Sequence, residues 1–86
     1  MYSIVYTKTA INDIPKLKAA GLDKKAKSLI ELLKENPLKS PPPFEKLKGD
    51  LQGAFSRRIN IQHRLVYEII ESEKTVKIIR LWTHYE

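Results

Sequence analysis

An 86-residue chain holds one modest core, and one domain over 1–86, burying roughly 60–65% of the surface its unfolded form exposes. A hydrophobic fraction of 42%, no cysteine and no apolar run near the ~20 residues of a membrane span exclude a disordered tail, a disulfide scaffold and a transmembrane helix. The formal net charge of +6, from 16 Lys+Arg against 10 Asp+Glu, fits a polyanion partner or a merely solvated lysine-rich surface.

Residues 1–6 (Met-Tyr-Ser-Ile-Val-Tyr) read as a short strand of β-branched and aromatic residues. They carry no basic leader, so no signal peptide is expected and the expected location is cytoplasmic. Thr7 or Thr9 caps a following helix with Ala10, Ile11, Ile14 and Leu17 as its apolar stripe, and Pro15 weakens or kinks it. Gly21 supplies the left-handed stop. A second helix runs from about Leu22 to Glu35 with Asp23 at its positive end and Leu22, Ala26, Leu29, Ile30 and Leu33 on one face. Asn36-Pro37 ends it, and 37–43 (Pro-Leu-Lys-Ser-Pro-Pro-Pro) form a polyproline-biased connector.

Three strands follow, 54–61, 64–71 and 75–85, joined by turns near Gln62-His63 and Glu71–Lys74, hence antiparallel. Alternation places Phe55, Ile59 and Ile61 on one face of the first and Ser56, Arg58 and Asn60 on the other. It places Leu65, Tyr67 and Ile69 against Arg64, Val66, Glu68 and Ile70 in the second. In the third, Lys77, Ile79, Leu81, Thr83 and Tyr85 oppose Val76, Ile78, Arg80, Trp82 and His84. With helices over one face, Arg58, Arg64 and His84 converge on the other. The architecture expected is α+β: two N-terminal helices packed on a twisted, mainly antiparallel sheet.

All four arginines (Arg57, Arg58, Arg64, Arg80) fall in the last third, and arginine suits bidentate phosphate contact. Cutting RNA without a metal needs a base for the 2′-hydroxyl, a cation for the phosphoryl charge and an acid for the leaving 5′-oxygen. Glu45, flanked by Lys46 and Lys48, is a candidate base; Arg58 and Arg64 suit the phosphate; His84 titrates near neutrality. Each also has a plainer reading. A loop glutamate is most often a solvated charge, and a terminal histidine is most often incidental. His63 sits at a turn and reads as structural, and Trp82 reads as core with base stacking as the alternative. Two histidines with scattered carboxylates give no metal-ligand spacing, and no phosphate loop or cofactor motif appears, so no metal and no cofactor is expected.

The run Pro43-Phe-Glu45-Lys-Leu-Lys48-Gly-Asp-Leu51-Gln-Gly53-Ala-Phe55-Ser56-Arg57-Arg58-Ile59-Asn-Ile-Gln-His63-Arg64-Leu65-Val66-Tyr67, with Thr83-His84-Tyr85 near the end, resembles the Txe/YoeB family. These are toxins of bacterial type II toxin–antitoxin modules within the RelE-like superfamily. The likeness spans essentially the whole chain and is dense from Glu45 to Tyr67; in the helical half it rests on layout alone. It implies an endoribonuclease that cuts mRNA in the ribosomal A site, by 2′-hydroxyl attack to a cyclic phosphate, silenced by a cognate YefM/Axe-like antitoxin. By matching position it implies Glu45 as general base, His84 as general acid and Arg64 as the transition-state cation. Lys48 and Arg58 then bind phosphate, and Tyr85 holds the RNA near the scissile bond. A homodimer is compatible with the family, with no signal for it in the chain. Members commonly end at His-Tyr, whereas this chain adds Glu86, whose two negative charges either keep His84 protonated or repel RNA. The reading from another class is a non-catalytic inhibitor of DNA gyrase like the ParE toxins, which needs neither Glu45 nor the terminal His-Tyr pair.

Overall fold

Strand β1 (Ser3–Tyr6) leads directly into α1 (Lys8–Ala19) through Thr7, whose side chain accepts the Ala10 N–H at 3.0 Å and so caps the helix. The computed structural model describes residues 1–49 and 53–84, with side chains as far as Trp82. Helix α1 buries Ala10, Asp13 and Leu17, with Ile14 half-buried, and continues through Pro15. Ile11, expected on the apolar stripe, is instead 53% exposed. The buried stripe runs Ala10, Asp13, Leu17, and an acid occupies one of its places.

Gly21 takes a left-handed φ of +72°, which turns the chain into α2 (Asp23–Glu35). Ala26, Ile30 and Leu33 form the buried face of α2, with Leu22 and Leu29 packed beside them. Strands β2 (Glu45–Lys46), β3 (Ala54–Arg58), β4 (His63–Ile70) and β5 (Thr75–His84) complete a five-stranded sheet in the order β1-β5-β4-β3-β2. The β1–β5 pair is parallel and the others are antiparallel, so the sheet is mixed and mainly antiparallel, as the pattern predicts. Both helices pack on one face, over a core of Leu17, Leu33, Leu65, Tyr67, Val76 and Ile78 among others. Each such side chain contributes about 1.5–3 kcal/mol by leaving water.

The first of the three long strands ends earlier than its β-branched sequence predicts. The Asn60 carboxamide oxygen accepts the N–H of Gln62 (2.9 Å) and of His63 (2.7 Å), and the His63 carbonyl accepts from Ile59 and Asn60. This side-chain turn competes with the ladder and closes the hairpin at 59–62. Ile59 turns fully inward, while Ile61, expected on the same face, is 86% exposed. The next connection matches expectation: a 3₁₀ turn over Glu71–Glu73, ended by Lys74 at φ +49°.

Simple alternation also fails along β5. Tyr67 pairs with Ile78, Val66 with Arg80 and Arg64 with Thr83, so three steps along β4 answer five along β5. These bulges switch the face presented, which is why Val76, Ile78 and then Leu81 enter the core.

Candidate active site

Glu45, read from sequence as a loop residue before the sheet, lies in edge strand β2, its Cα in register with Ser56 of β3. Its carboxylate meets Arg64 Nη1 at 2.9 Å. Arg64, on β4, is 9% exposed and also donates toward Ser56 Oγ at 3.4 Å. Arg58 is the register partner of Arg64 across the β3–β4 ladder. Glu45, Ser56, Arg58 and Arg64, with Pro42 and Pro43, line one cleft of about 90 Å³. One carboxylate and two guanidinium groups thus share a small concave site at the edge of the sheet. Lys48 is exposed and lines a neighbouring cleft with Lys46, Leu47, Ala54 and Phe55. The backbone of His84 is in register with that of His63, one step from the Arg64–Thr83 pair. Tyr85 and Glu86 lie outside the described residues.

Two of the four arginines are not phosphate candidates. Arg80 donates from Nε to buried Asp13 at 3.3 Å and from Nη2 to the Trp82 carbonyl at 3.3 Å. Arg57 is buried at 1% exposure. Its guanidinium donates to the carbonyls of Pro42 (2.6 Å), Pro37 (3.0 Å) and Lys39 (2.8 Å), and to the Tyr67 hydroxyl (3.1 Å). The Phe44 ring lies 5.1 Å from its centre, within cation–π range. The polyproline-biased connector is therefore tied to the core, with Pro37 fully buried. Pro42 and Pro43 form one wall of the cleft, and the same clamp leads into β2 and Glu45.

Tyr67 completes that arrangement by donating to the Pro37 carbonyl at 2.8 Å. Burial pushes its phenol above the ordinary value, and the neighbouring Arg57 charge opposes the rise. On the other side of β4, His63 is buried and stacks on Trp82, ring centroids 3.8 Å apart at 19°. Trp82 is thus half-buried against an imidazole.

Arg57 and Asp13 are the residues that reading by type misplaced or passed over. A signal existed for both. Arg57 alternates with Phe55 and Ile59, and Asp13 lies three after Ala10 and four before Leu17, so each charge occupies an apolar-face position. Such a charge must find fixed hydrogen-bond partners.

Two helices on one face of a five-stranded mixed sheet are the architecture of the RelE-like toxins. The chain belongs to the YoeB family: the family model for a YoeB-like toxin of bacterial type II toxin–antitoxin system matches residues 6–85. It is 38% identical over 63 residues to Toxin YoeB of Synechocystis sp., covering 73% of this chain and 71% of that one. Toxin YoeB of Streptomyces coelicolor is 39% identical over 62 residues, 72% of this chain and 71% of that protein. Among solved structures, a YoeB/ParE toxin from Agrobacterium tumefaciens superposes with a TM-score of 0.85 at 32% identity, covering 96% of this chain and 99% of that one. The heterotetrameric YoeB–YefM toxin–antitoxin complex from Staphylococcus aureus contains a chain that superposes at 0.80 and 32% identity, with 99% of each chain covered. A YoeB dimer from the same organism superposes at 0.81 and 32% identity over 98% of each chain.

Proposed function

We propose that this toxin is a metal-independent endoribonuclease that cuts mRNA in the ribosomal A site and is neutralised by a cognate YefM/Axe-like antitoxin. The observation that carries the reading is the 2.9 Å contact between Glu45 and Arg64 in a cleft shared with Arg58. It sets a carboxylate beside the cations that a scissile phosphate would occupy. An entering phosphate exchanges for the carboxylate on Arg64, leaving Glu45 to take the proton of the 2′-hydroxyl. The 2′-oxygen then forms a bond to phosphorus as the bond to the 5′-oxygen breaks. Arg64 and Arg58 offset charge on the non-bridging oxygens, and His84 donates a proton to the leaving 5′-oxygen. The products are a 2′,3′-cyclic phosphate and a 5′-hydroxyl. Tyr85 holds the RNA near the bond, and Lys48, beyond the cleft, contacts a more distant phosphate.

A cytoplasmic site of action follows from the proposed substrate. An antitoxin that lays an acidic segment across the basic cleft would block the phosphate site, and the YoeB–YefM complexes of S. aureus support such a partner. Dimerisation through this chain is likewise supported by the S. aureus YoeB dimer.

The test is primer extension on a defined message, with and without programmed ribosomes, comparing the parent with Glu45→Gln, Arg64→Gln and His84→Ala. A discrete A-site cut is expected only with ribosomes, reduced on the order of 10²–10⁴-fold when either acid–base partner is removed. Cutting by His84→Ala at the parental rate would remove that residue from the mechanism. Intact message with DNA supercoiling arrested would favour the gyrase-inhibitor reading instead.

A further inference from the structure

Strand β5 does not reach the cleft by running straight. In register with β4 up to Tyr67–Ile78, an unbulged β5 would set Leu81 opposite Arg64 and Trp82 opposite His63. The two slips instead bring Thr83 and His84 to those places, two residues further along the strand. At about 3.3 Å per residue this is a displacement of 6–7 Å for His84. Something must take up the backbone groups that the bulges remove from the ladder.

Helix α1 does so. At its cap the Thr7 hydroxyl donates to the Ile79 carbonyl at 2.8 Å, while the bond from the Thr7 N–H to the Ile78 carbonyl at 3.0 Å continues the regular β1–β5 ladder. Asp13 Oδ2 accepts the N–H of Leu81 at 3.0 Å, the N–H of Trp82 at 3.1 Å and Arg80 Nε at 3.3 Å. Asp13 is 1% exposed, so nothing in the solvent substitutes for these bonds. Its second oxygen faces Lys16 at 3.9 Å. A carboxylate gripping consecutive backbone N–H groups fixes where a bulge sits, because a shifted register would leave the charge buried among carbonyls.

The geometry points to Asp13 as a positioning residue for the proposed reaction: through the Leu81–Trp82 backbone it sets the register that brings His84 opposite His63 and beside Arg64. The inference rests on His84 serving as the acid of that reaction. It makes helix α1, which contributes no side chain to the cleft lining, part of the machinery that aligns the cleft's acid. A misplacement of about 1 Å far from the chemistry can cost on the order of 10²-fold in rate.

The experiment joins cross-strand NOE measurements on the folded protein with single-turnover cleavage on programmed ribosomes. Asp13→Ala is expected to lose the backbone cross-peaks of the His63–His84 and Arg64–Thr83 pairs while retaining those of Arg58–Arg64 between β3 and β4. Its maximal cleavage rate should fall about 10²-fold with half-saturation nearly unchanged. Asp13→Asn keeps an oxygen for both N–H groups and should hold the register and rescue the rate to within about tenfold of the parent. Where the alanine variant does not fold, Asp13→Glu moves the carboxylate by one methylene and should show the same two losses. A folded Asp13→Ala or Asp13→Glu protein with parental cross-peaks and parental rate overturns the proposal. Should the parent itself cut no RNA, the proposed reaction fails, while the cross-peaks still decide whether Asp13 sets the register.

Discussion

Arg57 and Asp13 stand on opposite sides of strand β4 and solve opposite problems by the same means. Arg57 is a buried cation that collects carbonyl oxygens from the 37–43 connector, beneath the strand that carries Glu45. Asp13 is a buried anion that collects backbone N–H groups from the bulged part of β5, the strand that ends at His84. In each place the chain departs from regular pairing, and a charge with fixed partners replaces the missing ladder. The difference lies in what each grips. Arg57 braces an irregular loop against the core and Tyr67, whereas Asp13 edits the register of an otherwise regular strand. A site assembled at a sheet edge therefore needs an interior residue behind each of its two flanks.

Arg57→Leu removes the donors for three carbonyls, one of them buried and two part-buried, and should cost about 3–5 kcal/mol in urea unfolding. A loss under about 1 kcal/mol would show that the connector is held by its proline packing alone. Asp13→Ala should cost somewhat less, about 2–3 kcal/mol, because it strands two backbone N–H groups where Arg57→Leu strands three carbonyls. The two sets of partners do not overlap, so the costs should add to within about 0.5 kcal/mol in the double variant. A larger coupling would mean that the flanks communicate through β4.

Tyr67→Phe sharpens the Arg57 side and should cost about 1 kcal/mol at neutral pH. Its phenol is raised above the ordinary 10.0 by burial, so the folded state holds that proton more tightly than the unfolded chain. The corresponding stability is complete below pH 10.0 and is lost as pH rises from there through the folded value. Unfolding midpoints measured on the alkaline side should fall less steeply for Tyr67→Phe. The smallest effect is expected at the far end of the sheet, where Tyr2 donates to Glu71 and Lys74 pairs with it on an exposed surface. The bonds from Lys74 and then Tyr2 hold the Glu71 carboxyl below its ordinary 4.5. That contribution is present above 4.5 and fades as pH falls through the lowered value, so Glu71→Gln should slightly flatten the acid limb of the melting profile.

What local pattern could report, it reported. The Thr7 cap, the Gly21 stop and the amphipathic face of α2 each depend on a few neighbouring residues and are found where the sequence places them, and the hairpins are antiparallel as expected, although the first turns earlier. Glu45, Arg58 and Arg64 were legible by residue type and by family likeness, and the fold brings them into one cleft. Arg57, Arg80 and the bulges of β5 were not, because their positions are set by partners 15 to 69 residues away. Strand alternation assumes a uniform ladder, and a tertiary hydrogen bond from α1 is what makes this one non-uniform. Asn60 shows the same on a smaller scale: its side chain ends a strand that the propensities of Ile59 and Ile61 would have extended.

The end groups left on the RNA report the chemistry of the proposed cut. Mass spectrometry of a defined RNA cleaved on the ribosome should find a 2′,3′-cyclic phosphate on the upstream fragment and a 5′-hydroxyl on the downstream one. A 3′-hydroxyl with a 5′-phosphate would contradict the account, since that outcome needs water as nucleophile and leaves Glu45 without its proposed proton.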